Sequence, residues 1–286
     1  MIILSAYNSC NKVYNEIDFK YNSGILYGGD IMRFNSLIDA LLDEFDANNN
    51  AAYEQLKVTP KMFQQIKNHQ ILPGKDFIER LSRLTNNNEL LQLFKQKSEE
   101  FEVPKQLGSK PSALKILIGV ITVGIISGLF TGFGYQPLWL FVLVLIIGLL
   151  IVLPIFFNEY WLVGKLEMIR TFFDKNEIKK VLQLLNLKKK YVKSFKYSDV
   201  SKVELIYKPK KRMSPFDFTG DYFYMIFDMS TGEKQALNLE KMDSSRLESF
   251  VFFLSSKNMI VEDQNGVLEA LGHHENLFEH FANVGE

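Results

Sequence analysis

Residues 116 to 158 contain no Asp, Glu, Lys or Arg. A hydrocarbon slab of about 30 Å is crossed by about 20 apolar helical residues, so a run of this length admits two crossings. It divides into ILIGVITVGIISGLFTGFG, residues 116–134, and LWLFVLVLIIGLLIVLPIFF, residues 138–157, separated by Tyr135, Gln136 and Pro137. Proline starts a helix readily and pushes the residue before it out of helical space. Tyr135, Trp139, Tyr160 and Trp161 fall near the ends, where amphipathic rings settle at headgroup level. The expectation is a membrane hairpin of two transmembrane helices, with the lipid bilayer as its first partner.

Lys105, Lys110 and Lys115 precede the first span, Lys165 and Arg170 follow the second, and the connecting loop is uncharged. The positive-inside tendency then puts both termini in the cytoplasm of a cell-membrane protein. Gly124, Gly128 and Gly132 recur every four residues and are read as a helix-packing face. The partner of that face is the second span or, in a homodimer, another copy.

Basic and acidic residues balance at 33 each over 286 residues, which leaves room for small soluble domains on both sides of the hairpin. A single cysteine, Cys10, excludes an internal disulfide framework and a multi-cysteine metal site.

Residues 1–31 carry no apolar period. The run Gly28-Gly29-Asp30-Ile31 back-translates to a purine-rich stretch of the kind that precedes a start codon. These residues are therefore expected to be disordered or not translated, with the folded chain beginning at Met32. From there Leu37, Ile38, Leu41, Leu42 and Phe45 form one helical stripe, ended by Asn48-Asn49-Asn50. A short helix from Ala51 to Leu56, a turn at Lys57-Val58, and Thr59-Pro60 as cap and first helical residue lead into a third helix, Pro60 to Asn68. Helices around Lys75–Leu84 and Glu89–Glu100 complete a five-helix bundle over residues 32–106, joined by a linker, 107–115, to the first span.

Ala52, Leu56, Val58, Thr59, Phe63, Ile66, Pro73, Phe77, Ile78 and Leu81 stand at the spacings of a helix-turn-helix. The bundle resembles the Cro/repressor-type helix-turn-helix family, departing from it at Lys67 and at His69, where glycine usually closes the helix. The resemblance implies a recognition helix in the major groove of DNA. Lys61, Gln64 and Gln65 would then contact bases, with Lys57, Lys67 and Asn68 at phosphates and Thr59 capping the helix. Residues 55–75 hold four lysines and no carboxylate, although residues 32–106 hold ten basic and eleven acidic residues. Cell-shape proteins with a similar bundle hold a filament at the membrane, so a cytoplasmic protein is the alternative partner.

Beyond the hairpin, residues 159–173 fit strand or helix. Runs at 192–197, 201–207, 221–229 and 234–239 alternate as strands, and Ser244–Ser256 reads as an amphipathic helix before a last strand at 259–262. Residues 159–263 resemble the bacterial pleckstrin-homology-like domains, which implies a small β-barrel or sandwich closed by that helix. Residues 175–212 hold thirteen basic and three acidic residues, and residues 213–286 four and thirteen. Lys188, Lys189, Lys190, Lys208, Lys210, Lys211 and Arg212 are read as a surface for anionic lipid heads, and residues 264–286 as an acidic tail. His273, His274 and His280 lie on that tail without metal-ligand spacing. No phosphate loop, nucleophile elbow or zinc-protease helix occurs, so no cofactor, metal or catalytic activity is expected. The fold class expected is a multidomain membrane protein: an all-α helix-turn-helix bundle, a transmembrane α-hairpin and an α+β domain. Its expected role is transcription regulation.

Overall fold

The computed structural model describes residues 30–48, 52–108, 113–156, 159–210, 221–240, 242–273 and 277–283. In chain order the elements are α1 (Asp30–Asn48), α2 (Ala52–Gln55), α3 (Pro60–Lys67), β1 (Ile71–Leu72), α4 (Lys75–Leu84), α5 (Glu89–Glu100) and β2 (Lys105–Leu107). The apolar segment forms α6 (Ala113–Phe130) and α7 (Leu138–Phe156), followed by β3 (Tyr160–Val163), β4 (Glu167–Phe172), α8 (Glu177–Leu184) and β5 (Tyr191–Lys196). The chain ends with β6 (Val200–Lys208), β7 (Tyr222–Met229), β8 (Lys234–Asn238), α9 (Ser244–Ser256), β9 (Val261–Glu262), α10 (Val267–Gly272) and α11 (Leu277–Asn283). Two compact units result: residues up to Phe101 with Ser198 onward, and Glu102–Tyr197.

The discontinuous unit is mixed α/β rather than a helical bundle beside a barrel. Its sheet runs in the order β1-β9-β6-β7-β8, with β6 and β9 parallel and the other pairs antiparallel. Ile71 and Leu72, directly after the candidate recognition helix, pair with Glu262 and Val261. Alternate residues of β6 and β7, Val203, Leu205, Tyr207, Phe223, Met225 and Phe227, are buried, the period-two signature of a sheet with one covered face.

Helix α9 carries large apolar residues all round, and Leu247, Phe250, Val251, Phe252, Phe253 and Leu254 are all buried. A helix apolar on every side belongs in the interior. Phe252 meets Phe34 of α1 edge-on at 4.9 Å and Phe94 of α5 at 6.2 Å, and Phe101 meets Phe250 at 4.9 Å. Ser255 donates to the Pro73 carbonyl, and Asn258 accepts from the Asp76 N–H at 2.9 Å. The expected separate barrel closed by its last helix is thus overturned: no closed barrel occurs among the described residues, and α9 is the common core of N- and C-terminal segments. From residue 267 the chain forms α10, whose Val267, Leu268 and Ala270 are buried.

The second unit is an antiparallel sheet β2-β3-β4-β5 into which α6 and α7 are inserted. Lys105, Gln106 and Leu107 pair with Val163, Leu162 and Trp161, so the two ends of the apolar stretch emerge side by side. Trp161 is buried edge-on to Phe195 at 5.7 Å, with the Arg170 guanidinium over its ring and ion-paired to Glu159. The stretch 159–173 that fits either period is therefore the hairpin β3–β4.

Helix α6 is long and apolar enough to cross a membrane. Helix α7 carries Pro154 inside it, and its apolar part, Leu138–Pro154, is shorter. The two-span fold is overturned on that finding, since among the described residues α6 alone meets the length and apolarity of a span. Residues 1–29 lie outside the described residues, while Asp30 and Ile31 belong to α1 and Ile31 is buried.

Candidate nucleic-acid interface

Local chemistry places α3. The Thr59 hydroxyl accepts the Met62 N–H at 3.2 Å, satisfying one of the free donors of the first turn, and Pro60 fills the first helical position without wasting one. Arg80 of α4 donates to the Leu56 carbonyl at 2.9 Å and fixes the preceding turn, where Lys57 adopts φ +55°. Phe63 and Ile66 anchor the helix in the core.

At 100° per residue, Lys61, Gln64, Gln65 and Asn68 share one face opposite these anchors. Lys61, Gln64 and Asn68 are exposed and Gln65 is half-buried; Lys57 and Thr59 are exposed at the N-terminal end. Lys67 is set apart from them. It lies on the flank of α3, 3.1 Å from Asp43 of α1 and over the Phe63 ring at 5.9 Å. The six others come together; Lys67 instead fastens α3 to α1.

The helix is capped at Asn68 and the chain turns away at His69, with φ +54°, whose ring bonds Asp39. That hydrogen bond raises the imidazole pKa above its ordinary value, against the opposing effect of burial. His69 also borders a small cleft with Asp263 and Glu269. Asp263 accepts the Val267 and Leu268 N–H groups at 2.9 and 2.7 Å and so caps the start of α10. Burial pushes its carboxyl up to about 6. Sequence spacing carries no signal for the His69–Asp39 pair, which joins the turn after α3 to α1.

The other candidate residues fall in both units. Lys188 and Lys189 are exposed and Lys190 half-buried in the second unit; Lys208 and Lys210 belong to the first, where the Lys210 N–H donates to Asp221 at 2.9 Å. Lys211, Arg212, His274 and Glu275 lie outside the described residues. Of the three glycines, Gly124 has open space where a Cβ would stand, Gly128 faces Phe133, and Gly132 lies beyond α6 at φ +64°. The close approach of α6 and α7 falls instead at Gly148, where a Cβ would stand 2.6 Å from Val123.

No protein-family model, curated protein or solved structure matches the chain.

Proposed function

We propose that the chain is a membrane-attached DNA-binding protein that offers the Lys61 face of α3 to a major groove. The observation that carries this reading is the composition of that face. Lys61, Gln64, Gln65 and Asn68 are polar, and among the described residues from 52 to 72 no large apolar side chain is exposed. A helix that docks protein needs an exposed apolar patch; one that reads bases needs forked donors and acceptors. Lysine suits the guanine O6 and N7 acceptors, and glutamine suits adenine N6 and N7. Lys57, at the N-terminal edge, is the phosphate contact that sets register.

Membrane attachment is supported by α6, where Leu117, Ile118, Ile121 and Ile125 are more than half exposed. Each square ångström of apolar surface left in water costs about 25 cal/mol, and a bilayer removes that cost. Lysines flanking the apolar stretch favour the cytoplasmic face. Few cations line α3, so a single copy binds weakly, and pairing of copies in the membrane raises effective concentration.

The test is selection from a random duplex pool by the full chain in detergent. Wild type enriches a motif, whereas Lys61→Ala with Gln64→Ala loses it, each good contact being worth about 1–3 kcal/mol of discrimination. Identical pools from both proteins would refute base reading by α3.

A further inference from the structure

We infer that α8 is an interfacial helix that binds anionic lipid headgroups where the apolar segment meets the membrane surface; this rests on the reading that α6 lies in a bilayer. Helix α8 has two apolar faces. Val181 and Leu184 are buried with Leu153 of α7, and Ile116 and Phe173 pack against them. This fixes α8 at the end of the apolar pair from which the chain enters and leaves.

The second face is uncovered. Ile178, Leu182 and Leu185, spaced i, i+4 and i+7, are 58%, 36% and 45% exposed, and Leu187 just beyond is 73% exposed. The stripe thus lies at one end of the apolar helices, and headgroup-level insertion is what buries amphipathic helices of this kind.

Charge identifies the occupant. Buried Gln183 accepts the Asp174 N–H and donates to the Lys189 carbonyl, both at 2.8 Å. The Leu187 and Lys188 N–H groups both donate to the Leu182 carbonyl, at 2.8 and 3.1 Å. These bonds fold the 187–190 segment back over the end of α8 and hold Lys188 and Lys189, both exposed, beside the stripe; Lys179 flanks it along the helix. Asp174 and Glu177 are the carboxylates beside it, fewer than the lysines. Apolar side chains flanked by lysines match an anionic bilayer surface, where phosphates take the ammonium groups and acyl chains the leucines.

The test uses the full chain with Cys10→Ser and Ile178→Cys, labelled with an environment-sensitive fluorophore and reconstituted into vesicles. These contain phosphatidylcholine alone or mixed with phosphatidylglycerol, and a parallel label at Ile121→Cys reports on α6. The label at 178 is expected to shift to the blue and be shielded from iodide more strongly in the mixed vesicles. Lys188→Gln with Lys189→Gln should weaken that preference about fivefold per lysine. Leu187→Cys serves as a second labelling site should the first variant misfold. Iodide access at 178 with shielding at 121 overturns the inference and leaves membrane attachment intact; access at both overturns both. Equal shielding in the two lipid mixtures also overturns it.

Discussion

His69 holds the end of α3 against α1: its Nε2 stands 3.0 Å from each carboxylate oxygen of Asp39. Because this pairing raises the imidazole pKa above 6.5, its stabilisation is full below that value and is lost as pH rises through the higher folded-state value. The full chain should therefore lose thermal stability as pH climbs from mildly acidic through that range. Asp39 is partly exposed, so solvent screening limits the effect to at most about 1 kcal/mol. Asp39→Asn should flatten this part of the profile, as measured by thermal unfolding in detergent at a series of pH values.

Glu248 on α9 carries a dependence of the same sign from a different cause. Burial is the main cause that lifts its carboxyl to about 7, with Asp30 adding to it and Lys97 opposing. A carboxyl whose folded pKa lies above its unfolded one near 4.5 favours folding when protonated, and that advantage disappears as pH rises from there to about 7. Glu248→Gln keeps an acceptor and removes the charge. It should stabilise the protein at pH 8 by roughly 2 kcal/mol and do little at pH 4. An equal effect at both values would show that ionisation is not what the site resists.

The core shared by α1, α5 and α9 sets a third expectation. Phe252 is fully buried between Phe34 and Phe94. Phe252→Ala should cost about 3–5 kcal/mol, although the substitution lies far along the chain from the first helices. For the same reason a fragment ending near residue 106 lacks β9, the partner of β1, and the α9 side of its core. Circular dichroism of that fragment should show no cooperative transition.

Some of this architecture is legible in sequence, and physical range separates what is from what is not. The Thr59-Pro60 start of α3 and the Phe63/Ile66 anchor are local signals and stand where spacing puts them. Strand β1 is two residues long, too short for any period, and its partner lies about 190 residues downstream. No local reading finds such a strand, and missing it turns one mixed domain into two imagined ones. The apolar run shows its hydrophobicity but not how its helices meet. The face of Lys61 follows from helical angle alone, whereas the diversion of Lys67 requires knowing where Asp43 stands.

The glycines separate composition from contact. Gly148→Ala pushes a methyl to 2.6 Å from Val123 Cγ1, whereas Gly124→Ala meets nothing within 4 Å. The first should destabilise the α6–α7 pair by about 1–3 kcal/mol through overpacking. The second should be neutral or slightly stabilising, since alanine is the better helix former. Unfolding in micelles checks this, and Val123→Ala should rescue the first variant by clearing the methyl that obstructs it. Equal effects of the two substitutions would place the helix contact elsewhere.

The last contrast concerns α3 itself. Lys61 and Lys67 are both cations on one helix, six residues apart, but Lys61 is exposed while Lys67 spans to Asp43. If duplex DNA is held by the Lys61 face, Lys61→Ala should weaken binding and reduce the slope of log affinity against log salt by about one unit. Lys67→Ala should leave that slope unchanged and lower thermal stability by less than about 1 kcal/mol, the worth of a mostly solvent-accessible pair. Measuring both slopes by anisotropy on the same duplex, with the full chain in detergent, separates a groove-facing lysine from a helix-fastening one. Equal loss of slope would mean that DNA draws Lys67 away from Asp43 and that the contact surface wraps around the flank of α3.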